Sequence, residues 1–176
     1  MMLYIVTPCS RPQNLIRIKH GIPEYATWVV MVDANCDFKG ATGASITHYS
    51  TRSGSWGHPL RNEFLELYRE SFTKEDWVYY LDDDNILHPK FIEEWGNLHN
   101  LDCSIVTWGQ VGRLRPTDKP QVGNIDMACY MFKPYELPNL RFETSYEADG
   151  IFAMEAARIG SLICVDQPLC YYNALR

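Results

Sequence analysis

The chain has 176 residues, of which 46% are hydrophobic and 22% are charged, a composition typical of one soluble globular domain spanning residues 1–176. Its 22 acidic residues outnumber 16 Lys and Arg, and no basic run is long enough to follow a nucleic-acid backbone, which argues against nucleic-acid binding as its main role. No segment has the ~20 apolar residues of a membrane span or the form of a signal peptide, so we expect a soluble, cytoplasmic protein.

Short β-rich runs alternate with amphipathic helical stretches along the chain. We predict strands at residues 3–7, 27–32, 45–50, 77–81, 103–108, 125–132 and 162–165. We predict helices at residues 12–19, from Pro59, from Pro89, and at 148–159, where Gly160 ends the last one. This alternation predicts an α/β sandwich with a mostly parallel central sheet flanked by helices. Ligands bind such sheets at the carboxyl ends of the strands.

Three consecutive aspartates follow the strand predicted at residues 77–81. Because side chains alternate along an extended chain, we expect Asp82 and Asp84 on one face, about 6 to 7 Å apart, and Asp83 on the other. Such a pair of carboxylates suits Mn²⁺ or Mg²⁺ that also binds phosphate oxygens. The simpler interpretation is a solvated acidic turn, but the position at the end of a buried strand favours a metal site.

Three kinds of site use aspartates in this pattern. A calcium loop that starts at Asp82 is excluded, because Ile86 and Leu87 occupy positions that require a ligand and a glycine. A phosphohydrolase of the haloacid-dehalogenase type would use Asp82 as its nucleophile, but that family begins with this strand, whereas a long α/β segment precedes it here. The third kind is the nucleotide-sugar glycosyltransferase of the GT-A fold, a Rossmann-like sandwich.

Further motifs, in a fixed order along the chain, carry a family resemblance. They are Val6-Thr7-Pro8 with Arg11-Pro12, residues 29–34, Arg61-Asn62, residues 79–85 and Asp126-Met127-Ala128. Together they resemble the β-1,3-glucuronyltransferases and, more loosely, the inverting glycosyltransferases of family 2. The segment Glu147-Ala148-Asp149 is similar to the acidic motif that supplies the catalytic base in family 2.

The resemblance implies a donor site for a nucleotide sugar, most simply a UDP-sugar. It places Thr7, Pro8 and Arg11 around the nucleotide, and it gives Asp33 a hydrogen bond from the uracil ring. It also implies that Arg61 and Asn62 lie close to the nucleotide or its diphosphate. The acidic triplet belongs to the same site, with Asp82 on the ribose and near the metal, Asp83 beside it, and Asp84 as the principal metal ligand.

The resemblance also implies an acceptor side. Asp126 would face the transferred sugar and the acceptor, a glycan or glycoprotein hydroxyl. Asp149 would be the general base, with Glu147 as the second candidate because glucuronyltransferases place a Glu at about this point. The two acids are adjacent in family 2, whereas Ala148 separates them here. A late histidine often completes the metal site of GT-A enzymes, but no histidine follows His99, and Tyr171, Tyr172 and Asn173 stand near the end instead.

The sequence leaves open the role of one loop and two alternative functions. The loop at residues 109–124 carries Arg113, Arg115 and Lys119, which form either a solvated surface or a basic cover over the diphosphate. The predicted function is metal-dependent transfer of a sugar with inversion. The alternatives are the phosphohydrolase with Asp82 as nucleophile and a non-catalytic module that binds nucleotide sugars or glycans.

Overall fold

The computed structural model describes all 176 residues of the chain, apart from the side chain of Ser55. Its strands are β1 (Leu3–Cys9), β2 (Ala26–Val32), β3 (Ile46–Tyr49), β4 (Trp77–Tyr80), β5 (Ile86–Leu87), β6 (Ile105–Gln110), β7 (Tyr130–Phe132) and β8 (Leu162–Tyr171). Its α-helices are α1 (Leu15–Lys19), α2 (His58–Leu67), α3 (Pro89–Leu98) and α4 (Ala148–Ile159). Within the described chain, no helix is long and apolar enough to cross a membrane.

The strands form one mixed sheet in the order β3-β2-β1-β4-β7-β6-β8-β5. Strands β1 to β4 are parallel, and β6 is parallel to β8, whereas β7 and β5 run antiparallel to their neighbours. The chain moves outward from β1 to β2 and β3, then returns to the other side of β1 as β4. The predicted α/β sandwich with a mostly parallel sheet flanked by helices is confirmed.

Two apolar layers cover the two faces of the sheet. Side chains of β1 alternate between them, so that Leu3 and Ile5 join one layer and Tyr4 and Val6 the other. Helices α1 and α3 contribute to the first layer, and α2 and α4 contribute to the second. Burial on both faces explains why β1, β2 and β4 are almost continuously apolar in sequence.

Strand β1 extends beyond its predicted end and includes Pro8. The Val6 carbonyl accepts a hydrogen bond from Leu81 N at 3.0 Å, so Pro8, two residues later, presents its backbone nitrogen to the same side. Proline has no backbone N–H to donate. Because strand β4 has already ended at this position, the missing N–H breaks no hydrogen bond of the sheet. The longer strand carries its end into the region of the acidic triplet.

Two other predicted strands have different bounds in the structure. The prediction at residues 125–132 is too long, because Asp126 accepts a hydrogen bond from Ala128 N and starts a short 3-10 helix at Met127–Cys129, which leaves only β7 extended. The prediction at 162–165 is too short, because β8 continues through a register shift opposite β6 as far as Tyr171. The longer β8 delivers the C-terminal segment to the end of β4.

Gly57 provides a test of how tightly β1 and α2 pack. It precedes α2 with φ of +81°, and a Cβ atom at this position would lie 2.9 Å from Pro8 Cβ. Gly54 has a similar φ of +74° but open space around it. We expect Gly54→Ala to cost about 1 kcal/mol of unfolding free energy through backbone strain alone, and Gly57→Ala to cost clearly more. Urea denaturation measures both, and equal losses would contradict the tight contact with Pro8.

Candidate functional site

A cleft of about 490 Å³ opens at the carboxyl ends of β1, β2 and β4. Residues within two positions of the ends of these strands line it, among them Ser10, Asp33 and Asp82. The adjacent ends of β1 and β4 are the point where the strand order reverses, which is where open α/β sheets bind ligands. The start of α2, the start of α4 and the C-terminal segment form the remaining walls.

Asp83 ties the end of β4 to the end of β1. One carboxylate oxygen accepts hydrogen bonds from Ser10 N at 2.6 Å, Arg11 N at 2.7 Å and the Ser10 hydroxyl at 3.0 Å. The other accepts from Arg11 Nε at 2.8 Å and Nη2 at 2.5 Å. Asp83 is buried, and both of its oxygens are engaged within the protein. It therefore shapes the cleft wall and has little capacity left for a ligand.

The expected alternation of the three aspartates is wrong. Residues 82–85 form a turn in which Asn85 N donates to the Asp82 carbonyl at 3.0 Å, so the chain is no longer extended. Asp83 and Asp84 both contact Arg11, whereas Asp82 contacts Arg61 on α2. Asp83 and Asp84 therefore lie on the same side and share an arginine, whereas the alternation of an extended chain would put Asp82 and Asp84 on the same side.

Asp84 lies between two arginines. Its Oδ2 accepts from Arg11 Nη1 at 2.9 Å and from Arg176 Nε at 2.6 Å, and only 4% of its side chain is exposed. The segment before Arg176 is fixed here as well, because Leu175 N donates to the Asp84 carbonyl at 3.0 Å and Asn173 N to Asn85 Oδ1 at 2.8 Å. The C-terminal segment is thus fastened to the acidic turn.

The aspartates as arranged do not fit the divalent cation expected from the sequence. Among the described side chains, no three of His, Cys, Asp and Glu come together in a way that could hold a metal ion. A divalent cation ~4 Å from a guanidinium would be repelled by roughly 8 kcal/mol at an effective dielectric constant of ~20. Binding at Asp84 would therefore require Arg176 to leave, and Mn²⁺ or Mg²⁺ stays a prediction from the sequence.

Arg61 is the buried centre of the opposite wall. Its Nη2 pairs with Asp82 Oδ1, and its Nη1 lies 3.4 Å from Asp149 Oδ1. Burial by itself would lower the pKa of Arg61, but the two carboxylates outweigh it and raise that pKa. The rings of Tyr80 and Phe142 lie within 6 Å of the guanidinium carbon, at 5.9 and 5.7 Å. The structure thus places Arg61, which the sequence resemblance puts near the diphosphate, in this wall of the cleft, where its buried charge pairs with two acids.

His58 extends this network, although no spacing in the sequence marks it as a metal ligand or a catalytic residue. Its Nδ1 lies 2.6 Å from Arg61 Nη1 and its Nε2 lies 3.1 Å from the Ser145 carbonyl. These partners assign the neutral tautomer that donates from Nε2 and accepts at Nδ1. Burial and the neighbouring Arg61 lower the pKa of His58 to about 4. The only sequence signal is its spacing, one helical turn before Arg61 on α2.

Asp82 and Asp149 face the cleft and share Arg61. Desolvation in the cleft, together with the nearby charges of Asp149 and Asp126, raises the pKa of Asp82 to about 7 against the opposing effect of Arg61. Desolvation and Asp126 likewise raise the pKa of Asp149. Seven carboxylates and four arginines line the cleft, and the raised pKa of Asp82 reduces its excess of negative charge near neutral pH.

The two candidates for the general base differ in their surroundings. Asp149 lies in the first turn of α4, and its side chain is 23% exposed. Glu147 precedes that helix, lines the rim of the cleft and is exposed. Gly150 allows residues near 122 to pack on the start of α4, because a Cβ there would lie 2.7 Å from Val122 Cα. The loop at 109–124 thus closes over the same helix end.

The remaining predicted residues divide into those that line the cleft and those that do not. Pro8, Arg11, Asp33 and Asp126 line it. The Asp33 carboxylate accepts from Asn35 N at 2.8 Å and Gly54 N at 3.0 Å, which holds the loop between β3 and α2 against the end of β2. Asp126 Oδ2 accepts from Arg113 Nη1 at 3.0 Å.

Thr7 and Asn62 are not placed at the cleft and require correction. Thr7 is fully buried, and its hydroxyl accepts from the Trp28 indole at 3.0 Å. Asn62 bonds both backbone groups of Phe142, with Nδ2 to the carbonyl at 2.8 Å and the amide to Oδ1 at 2.9 Å. Asn62 therefore does not contact the cleft itself, but it fixes the backbone of Phe142, whose ring lies over Arg61.

Arg176, like His58, lines the cleft without having been predicted from the sequence. It follows the last strand with no recognisable motif, and its position depends on how far β8 runs. Tyr172 and Asn173, noted in the sequence as a possible substitute for the late histidine, do line the cleft, but beside Arg113 and the acidic turn.

Comparison with known proteins gives a likeness of fold. The sequence matches no family model and no curated protein. The structure is similar to 4-diphosphocytidyl-2C-methyl-D-erythritol synthase, with a TM-score of 0.59 and 11% identity over 89% of this chain and 87% of that one. It is also similar to A197 from STIV, with a TM-score of 0.50 and 9% identity over 100% of this chain and 84% of that one. These likenesses show a Rossmann-like fold.

The buried neutral state of His58 predicts a pH dependence of stability. The unfolded chain protonates this histidine below a pKa of ~6.5, whereas the folded chain does not until about pH 4, so the unfolded state binds more protons between these values. Stability contributed by His58 is therefore present above about pH 6.5 and is lost as the pH falls, by up to about 3 kcal/mol near pH 4.

Chemical denaturation of the parent and of His58→Gln between pH 4 and 7.5 measures this loss. The parent should lose unfolding free energy relative to the variant as the pH falls. If the difference in unfolding free energy between parent and variant stayed constant over this range, His58 would have the same pKa in the folded and the unfolded chain, and the prediction would be wrong.

Proposed function

We propose that this protein is a glycosyltransferase that moves a sugar from a nucleoside-diphosphate sugar to an acceptor hydroxyl with inversion at the anomeric carbon. The proposal rests mainly on the position of the Asp149 carboxylate. It faces a cleft at the switch point of a Rossmann-like sheet, and buried Arg61 holds it together with Asp82. A partly desolvated carboxylate in a cleft of this size is suited to accept a proton from a bound alcohol.

The donor side of the proposal is supported by the position of the cleft and by the fold. Nucleotides bind doubly wound sheets at the carboxyl ends of the strands, which here are the ends of β1, β2 and β4. One of the similar structures is a synthase named for a diphosphocytidyl compound, which contains a nucleoside diphosphate. The sequence resemblance to UDP-sugar enzymes favours UDP as the nucleotide, with the end of β1 and Asp33 on the nucleotide side.

Asp149 is the better candidate for the base than Glu147. A raised pKa makes a carboxylate a stronger base, and desolvation and Asp126 raise that of Asp149. Arg61 fixes its orientation, and Tyr130 donates from its hydroxyl to the Asp149 carbonyl at 3.1 Å. Glu147 is exposed, and no described side chain donates a hydrogen bond to its carboxylate, so nothing orients it.

The chemical step follows from these positions. The acceptor oxygen attacks the anomeric carbon while Asp149 takes the hydroxyl proton, and a new carbon–oxygen bond forms. The bond between that carbon and the β-phosphate oxygen breaks, and its electron pair leaves with the diphosphate. Attack from the face opposite the diphosphate inverts the anomeric centre. A positioned base typically contributes ~10²- to 10⁴-fold to such a reaction.

Replacement of the two acids tests the assignment of the base. With UDP-, GDP- and dTDP-sugars and water as a universal acceptor, the parent should release the nucleoside diphosphate from at least one donor. Asp149→Asn should lower this rate by ~10²-fold or more, with donor affinity within about threefold of the parent, because only proton removal is lost.

Glu147→Gln is the matched control and should retain most of the parent rate. Full activity of Asp149→Asn would refute the assignment of the base. Donor binding without turnover in the parent would point to a non-catalytic module. Phosphate release from a generic phosphate ester, abolished by Asp82→Asn, would point to the phosphohydrolase.

A further inference from the structure

Arg176 presents free hydrogen-bond donors to the cleft. Its Nε is anchored on the buried Asp84 carboxylate, and 59% of its side chain is exposed. Within the part of the chain that the structure describes, its two Nη groups have no hydrogen-bond partner. The guanidinium is therefore oriented by a fixed carboxylate while its outer edge remains free to bind an anion.

Arg113 is also held in place by protein partners, and it too has free hydrogen-bond donors. Its guanidinium carbon lies 3.6 Å from the centre of the Tyr172 ring, and its Nη1 donates to Gln110 Oε1 and Asp126 Oδ2, both at 3.0 Å. Among the described residues, its Nε and Nη2 bond no acceptor. Tyr172 lies on the same C-terminal segment as Arg176, and both arginines line the one cleft.

The other two arginines of the cleft are committed elsewhere. Arg11 uses Nε, Nη1 and Nη2 on Asp83 and Asp84. Arg61 is fully buried between Asp82 and Asp149. Arg61 Nε also has no hydrogen-bond partner, but it is buried. Arg113 and Arg176 are thus the described cleft arginines whose unused donors belong to exposed side chains, 38% and 59% exposed. Guanidinium groups bind phosphate oxygens through paired N–H donors, and a group held in place by its protein partners loses less entropy when it does so.

We propose that Arg113 and Arg176 form a metal-independent diphosphate site, and that Asp84 anchors Arg176 instead of acting as the ligand of a divalent cation. The inference rests on the proposed function for the identity of the donor. It assigns to two guanidinium groups the charge neutralisation that the sequence predicts for Mn²⁺ or Mg²⁺, and it explains why a buried aspartate at the end of β4 is paired with an exposed arginine.

Binding of UDP and of inorganic pyrophosphate, measured by titration calorimetry with EDTA or with Mn²⁺, tests the site. We expect both anions to bind in EDTA with dissociation constants within about threefold of those in Mn²⁺. Arg113→Gln and Arg176→Gln should each weaken both by ~10-fold or more, since each removes charge-assisted hydrogen bonds. Arg158→Gln is the matched control, because Arg158 lies on α4 outside the cleft, is exposed and pairs with Glu155.

A double-mutant cycle tests the anchoring role of Asp84. Asp84→Asn should weaken pyrophosphate binding in EDTA when Arg176 is present, and should change it less than about twofold in the Arg176→Gln background. A metal ligand would behave differently, because Asp84→Asn would then act only in Mn²⁺ and independently of Arg176. Melting curves of each variant would show that the fold is retained.

The outcomes separate this inference from the proposed function. Binding that requires Mn²⁺ and is insensitive to both arginine substitutions would overturn the inference alone. Arginine-dependent binding of pyrophosphate, with no binding of any nucleotide, would uphold the anion site and overturn the proposed donor. Failure of both UDP and pyrophosphate to bind under either condition would overturn both.

Discussion

The charge of Arg61 is the constraint on which the geometry of the cleft depends. A guanidinium that is fully buried on α2 must be neutralised by acids close to it, because an unpaired charge in the interior costs several kcal/mol. Asp82 follows β4 and Asp149 lies in the first turn of α4, and both pair with this one group. His58 and the ring of Phe142, held by Asn62, complete its surroundings.

The same principle operates at the other wall, with the roles reversed. There the buried groups are the carboxylates of Asp83 and Asp84, and the neutralising groups are Arg11 and Arg176, which are 34% and 59% exposed. Buried acids therefore fix the directions of exposed arginines. This arrangement accounts for the poor fit of the acidic turn to a divalent cation, and it is the basis of the proposed diphosphate site.

Much of the fold was predictable because its main elements carry strong patterns. The apolar runs of β1, β2 and β4 and the helical period of α2 and α3 were recognised from sequence, and the bounds predicted for α4 agree with the structure. All seven acids expected at the site line one cleft, and four of them do so because they follow parallel strands whose carboxyl ends share one edge. The orientation of the aspartates was not predictable, since the turn at residues 82–85 breaks the alternation of an extended chain.

The sequence by itself determined the sheet, its helical layers and the edge where polar side chains gather, because these follow from local periodicity and from where each apolar run ends. Only the tertiary structure decided which charges pair. Thr7 does not line the cleft, because its hydroxyl bonds the indole of Trp28. Arg176 does line it, because β8 continues to Tyr171 and brings the C-terminal segment to the cleft. Pairing depends on distances between groups far apart in the chain, and hydrophobic periodicity carries no information about those distances.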